Sequence, residues 1–138
     1  MLFLASSGSS ALLQVLMTEW IDRPLSIRLF KNDYSPSWLS TLADFVESDF
    51  AGYDGQSING WFFQGFAGQI GYIVTDMPNT FQVTSGTTAP QLCFGYYVHD
   101  QDGNLLWGER DPVGPVDMSS EGNEYQIFAR FGLANCPP

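Results

Sequence analysis

Gln91-Leu92-Cys93-Phe94-Gly95-Tyr96-Tyr97-Val98-His99-Asp100, followed by Gln101-Asp102-Gly103-Asn104 and then Leu105-Leu106-Trp107-Gly108-Glu109, is the stretch on which the fold turns. In an extended chain, successive side chains point to opposite faces. Leu92, Phe94, Tyr96 and Val98 then share one face, and Cys93, Gly95, Tyr97 and His99 share the other. Both faces carry bulk, which predicts a strand covered on both sides and central in its sheet. Asp-Gly and Gly-Asn at 102–104 supply the positive-φ positions of a tight turn, so residues 105–109 are predicted to return antiparallel. An all-antiparallel sheet protein is the natural home of such a hairpin.

The chain on either side agrees. Residues 25–30 alternate, with Leu25, Ile27 and Leu29 on one face and Ser26 and Arg28 on the other, which predicts a strand with one wet face. Upstream, Leu12, Leu13, Leu16 and Trp20 recur at helical spacing, so a helix is expected over 11–21, capped by Ser9 or Ser10 and ended by Pro24. Residues 1–8 read as an apolar, then flexible arm. Residues 37–56 read as a long crossing with aromatic anchors. Further strands are expected at 57–63, near 70–74 and 81–83, at 116–118 and over the last alternating run from Tyr125 to Leu133. One helix followed by about seven or eight short strands predicts a mainly β fold, an antiparallel β-sandwich or jelly-roll-like barrel. It forms a single domain over 9–138 behind an N-terminal arm.

Length and composition set the limits. The 138 residues fit one domain and need no metal or disulfide to hold a core. Aromatic residues make up 15% and charged residues only 14%, against about 25% in average proteins. Fifteen acids against five cations leave a net charge of −10. Such a surface repels phosphate backbones and anionic membranes, so neither nucleic acid nor membrane is an expected partner. The start of the chain lacks a basic signal-peptide region, and its apolar run is too short to span a bilayer. Synthesis in the cytoplasm is therefore expected. Cys93 and Cys136 are expected to be separate thiols.

Four chemical readings compete with a binding role. His99 beside Asp100 and Asp102 could be a base held by a carboxylate, yet no nucleophile elbow accompanies it. Asp100 to Asn104 resembles the start of a calcium loop, yet the twelfth position is Asp111 rather than a glutamate. Asp44, Glu47, Asp49 and Asp54 are dense enough for a paired-carboxylate glycosidase, yet no apolar setting singles one out. Two cysteines with one histidine cannot build an ordinary zinc site. No enzyme activity, cofactor or metal is expected. Trp61, Phe62, Phe63 and Phe66 form an aromatic cluster in which adjacent residues cannot all face inward on one strand.

Three strings carry a resemblance. They are Phe30-Lys31-Asn32-Asp33-Tyr34-Ser35-Pro36, the run Asp49-Phe50-Ala51-Gly52-Tyr53 and the run Gly95-Tyr96-Tyr97-Val98-His99-Asp100 with Gly103-Asn104-Leu105-Leu106-Trp107-Gly108-Glu109-Arg110. Over about residues 10–110 the chain is similar to small virion structural proteins of tailed bacteriophages, in particular β-sandwich capsid decoration (cement) proteins. The resemblance implies a homotrimer on the outer surface of an icosahedral head, made in the bacterial host cytoplasm, with the major capsid protein as partner. Leu2, Phe3 and Leu4 in the arm, Trp38 in the crossing, and Trp61 and Phe62 are the expected contact residues. The alternatives are a tail or baseplate component, separable by copy number, and a carbohydrate-binding module stacking sugars on Trp61 or Trp38.

Overall fold

The computed structural model describes residues 6–64 and 72–132. In chain order the elements are α1 (Ser6–Asp22), β1 (Ser26–Phe30), a 3₁₀ turn (Leu42–Asp44), β2 (Gln56–Ser57), β3 (Trp61–Gln64) and β4 (Tyr72–Thr75). Then follow β5 (Asn79–Gln82), β6 (Leu92–Cys93), β7 (Gly95–His99), β8 (Leu105–Arg110), β9 (Val116–Asp117), β10 (Glu124–Ile127) and β11 (Arg130–Gly132). The fold is mainly β with one N-terminal helix, and every strand pair is antiparallel. This agrees with the sandwich-like class that the alternating runs predict. The chain divides into two compact units.

The larger unit comprises Leu25–Ile58 and Asn79–Ile127. Its main sheet has the order β2-β1-β7-β8. The predicted central strand is central: β7 pairs with β1 through Ile27↔Val98 and with β8 through Val98↔Trp107. Tyr96, Tyr97 and Val98 are all buried, so both faces are covered. The turn forms as expected, with Gly103 at φ 83° and its N–H donating to the Asp100 carbonyl at 3.2 Å. On β1 the predicted dry face is dry, since Leu25, Ile27 and Leu29 are buried. Phe30 points the other way and is also buried, because Phe45 and Tyr97 cover it.

That cover comes from the crossing. Lys31 donates to the Val46 carbonyl at 2.8 Å and Ser48 to the Leu29 carbonyl at 3.0 Å, which binds the segment to β1. Phe45 stacks on Tyr97 at 4.6 Å and meets Phe30 and Tyr34 edge-on at 5.2 and 5.3 Å. Phe50 is buried too. The aromatic anchors of the crossing are thus Phe45 and Phe50, whereas Trp38 anchors nothing and is 91% exposed.

The smaller unit comprises residues 6–24, 59–64, 72–78 and 128–132. Its sheet has the order β11-β4-β3. Helix α1 lies on one face, burying Leu13 and Trp20. The Trp20 ring lies 5.3 Å from Trp61 and 5.4 Å, edge-on, from Phe131. Of the predicted stripe, Leu12 is exposed and Leu16 half-buried. The helix begins at Ser6, five residues before the expected start, so residues 6–8 belong to α1 rather than to an arm. Serine and glycine read as flexible because their helix propensity is low, but propensity is a weak prior against packing. The contact candidates Leu2, Phe3 and Leu4 lie outside the described residues.

Eleven strands form among the described residues where about seven or eight were expected, and the excess has one cause. Three runs predicted as single strands each divide where the chain changes sheet. The run 57–63 divides into β2 and β3: Ile58 donates to Leu25 at 2.8 Å, whereas Trp61 pairs with Thr75. The run 91–100 divides into β6, paired with β9, and β7, paired with β1 and β8. The final run divides into β10, paired with β5, and β11, paired with β4. Side-chain alternation persists through the divisions in the second and third runs, as Cys93 with Gly95 and Ile127 with Ala129 show, so periodicity alone does not mark them. In the first it slips by one residue at Gly60 (φ 85°), between buried Ile58 and buried Trp61.

Candidate contact surface

The side chains that suggested chemistry are mostly engaged in holding the fold. Glu47 accepts from Arg28 Nη1 at 2.6 Å and from the Tyr53 hydroxyl at 2.9 Å, while that hydroxyl accepts from the Leu29 amide at 3.1 Å. The hydrogen bond to Glu47 raises the pKa of Arg28 against the opposing effect of burial. Asp49 pairs with Lys31 at 2.7 Å. Asp44 accepts from the Thr41 amide and hydroxyl at 2.7 and 3.0 Å, closing the 3₁₀ turn. Three of the four acids of the crossing therefore have structural partners.

The histidine and the turn are similar. His99 Nδ1 lies 2.7 Å from the backbone oxygen of Asp100, not from a carboxylate. Asp100 Oδ1 accepts from the amides of Asp102 and Asn104 at 2.9 and 2.8 Å, which is turn chemistry. No group of three or more metal-ligating side chains that could hold an ion occurs among the described residues. Cys93 is a buried free thiol 3.1 Å from Ser48 Oγ, its pKa pushed up by burial against that hydrogen bond. Cys136 lies outside the described residues.

The same buried polar groups set an alkaline limit. Burial pushes the Tyr53 phenol far above its usual range, with Glu47 adding to it and the Leu29 amide opposing. Burial does the same to Tyr125, whose hydroxyl donates to Asp111 Oδ2 at 2.8 Å, and raises Tyr97. Phenols ionise near pH 10 in the unfolded chain, so above that pH the folded state holds more protons than the unfolded state. Stability from these groups is complete below about pH 10 and is lost as pH rises from there through the raised folded values. The slope is at most about 1.4 kcal/mol per pH unit for each phenol. Urea unfolding between pH 8 and 11.5 is expected to show this fall, and Tyr53→Phe with Tyr125→Phe is expected to flatten it.

What remains for binding is exposed apolar surface on ordered backbone. Trp38 sits at the tip of a turn in which Ser40 donates to the Ser37 carbonyl at 3.1 Å and the Ser37 amide donates to Ser40 Oγ at 2.8 Å. Ser40 Oγ is also 2.7 Å from the Tyr34 hydroxyl. Leu39 beside it is exposed as well. An indole held out by a fixed turn loses little conformational entropy on binding.

Alternation on β3 sorts the aromatic cluster. Trp61 is 7% exposed and faces Trp20 under the helix, whereas Phe62 is 55% exposed on the opposite face. Trp61 is therefore core in the folded chain, and neither a partner nor a sugar ring reaches its face as expected from the sequence. Phe66 lies outside the described residues. The face bearing Phe62 is an open groove of about 470 Å³, lined by Phe62 and Gln64 of β3, Tyr72 and Val74 of β4, and Phe128 and Arg130. Thr75 and Asp76 border it. Phe128 is 54% exposed. Sequence reasoning found Phe62 but missed Tyr72, Phe128 and Arg130, because their meeting depends on the β3-β4-β11 pairing.

No helix among the described residues is long and apolar enough to cross a membrane. Comparison of the chain with protein-family models, curated proteins and solved structures returns no match.

Proposed function

We propose that this chain is a bacteriophage capsid decoration (cement) protein, a homotrimer that binds the outer surface of the icosahedral head and bridges major capsid protein subunits. The resemblance in residues 10–110 prompts the reading. The observation that carries it is a division of labour. Arg28, Lys31, Glu47 and Asp49 are tied up in holding the crossing to the sheet, while Trp38 and Phe62 stand exposed on ordered backbone. A protein that acts by contact alone needs a rigid scaffold and projecting aromatic anchors, the residue types that dominate binding hot spots. Repetition of a modest contact over many lattice sites then multiplies its effect by avidity. The net charge of −10 would keep decorated particles dispersed.

The test is the protein's place and copy number in purified particles. A head location, at a copy number comparable to that of the major capsid protein, is expected. A handful of copies in the tail would assign it to the tail or baseplate instead, and absence from particles would end the virion reading. Trp38→Ala, far from any core contact, is expected to lower occupancy on heads without changing the unfolding midpoint.

A further inference from the structure

The chain has five cationic side chains, and four of them meet carboxylates: Arg23 with Glu19, Arg28 with Glu47, Lys31 with Asp49 and Arg110 with Asp33. Arg130 does not, among the described residues. Its guanidinium lies instead 4.9 Å from the centroid of the Tyr72 ring, in the open groove of the three-stranded sheet. The Tyr72 hydroxyl donates to Gln64 Oε1, which holds the ring that supports the arginine. Phe62 and Phe128 stand more than half exposed in the same groove. In a protein with fifteen acids, an arginine without a carboxylate partner on an aromatic floor is unusual.

A guanidinium presents a planar fork of N–H donors that matches a carboxylate. The contact with Tyr72 is to the π face of the ring and supplies no oxygen acceptor, so N–H donors of the fork remain available. Apolar walls lower the local dielectric, so an ion pair formed there is worth more than one in open solvent. Phenylalanine, tyrosine and arginine together are also the composition of protein interface cores. We infer that this groove takes an extended segment of a partner protein in which a single Asp or Glu carboxylate is flanked by apolar side chains. The carboxylate pairs with Arg130, and the flanking side chains cover Phe62 and Phe128. A single carboxylate fits and an acidic run does not, because the net charge of −10 repels a polyanion and Asp76 borders the groove. The inference deepens the decoration reading and rests on it for the partner's identity, which would then be the major capsid protein.

The test uses the full chain, isotope-labelled for NMR, and two blocked tripeptides, acetyl-Leu-Glu-Leu-amide and its Gln counterpart. The Glu peptide is expected to bind roughly fivefold more tightly, the scale of one partly exposed charge pair, and to shift the signals of Phe62, Tyr72, Phe128 and Arg130. Arg130→Gln is expected to abolish the preference while leaving the binding of the Gln peptide unchanged. Phe62→Ala is expected to weaken both peptides. Equal binding of the two peptides by the native chain would overturn the inference, as would a preference that survives in Arg130→Gln. Binding of methyl glucuronide in place of the peptides would also overturn it, by assigning the groove to sugars. No particle enters this titration. Failure here leaves the head location to be decided by copy number, and absence from particles leaves the groove's preference standing.

Discussion

Gly95→Ala is expected to lower the stability of the protein by about 3 kcal/mol or more, the upper range for forcing extra bulk into a filled interior. Gly95 opens β7, the strand between β1 and β8. A Cβ there would collide with the carbonyl oxygen of Glu109 and lie 2.9 Å from both Arg110 Cα and Phe30 Cε1. Two of these atoms are backbone of the neighbouring strand, so no side-chain rotation relieves the clash. The Gly95↔Arg110 pairing must open or the strands must part, and either exposes Phe30. In a domain of this size the loss corresponds to a fall in Tm on the order of 10 °C. Gly86→Ala is the control, since an added Cβ there meets nothing closer than 3.5 Å and is expected to change stability by less than about 0.5 kcal/mol. Equal unfolding midpoints for the two variants would refute the argument from close approach.

Phe45→Ala is the second large effect, expected to cost about 3–5 kcal/mol. Phe45 comes from the crossing, which has no sheet partner along most of its length, yet its ring is the centre of the cluster with Phe30, Tyr34 and Tyr97. Removing the ring takes away three aromatic contacts at once and opens a cavity over Gly108, against which the ring tip sits. Few backbone hydrogen bonds and two partly exposed ion pairs also bind the crossing to β1, and the Phe45 ring adds a buried contact to them. The variant is expected to lose near-ultraviolet circular dichroism from Tyr34 and Tyr97 along with stability. Hydrogen exchange at Lys31 and Ser48, whose amides bind the crossing to β1, is expected to accelerate more than exchange in β7. Phe45→Leu, which keeps most of the apolar volume, is expected to recover about half of the loss. Retention of slow exchange at Ser48 in Phe45→Ala would show that the crossing is held by its backbone and not by the ring.

The two variants also mark how far the sequence could be read. Tyr96, Tyr97 and Val98 announced a strand covered on both faces, and the Asp-Gly turn announced its partner β8, because both signals are local. The dry face of β1 was legible for the same reason. Trp61 and Phe62 could be told apart in principle, since adjacent residues on a strand must face opposite ways, but which of them would lie inside required knowledge of where α1 sits. Glu47 and Asp49 of the crossing looked like part of a candidate site because their partners Arg28 and Lys31 are 19 and 18 residues away in the chain. The groove was invisible apart from Phe62. Tyr72 and Arg130 are 58 positions apart and meet only because β4 and β11 pair.

By itself, then, the order of residues determined the class of the fold, the central hairpin and the buried faces of its strands, since side-chain period and turn chemistry act over a few residues. Only the tertiary structure decided where long alternating runs break, which strands become neighbours, which acids are neutralised by a distant cation, and that Arg130 is set on Tyr72 in an open groove. Alternation specifies a face but not a partner, and partner choice is settled by packing between segments far apart in the chain.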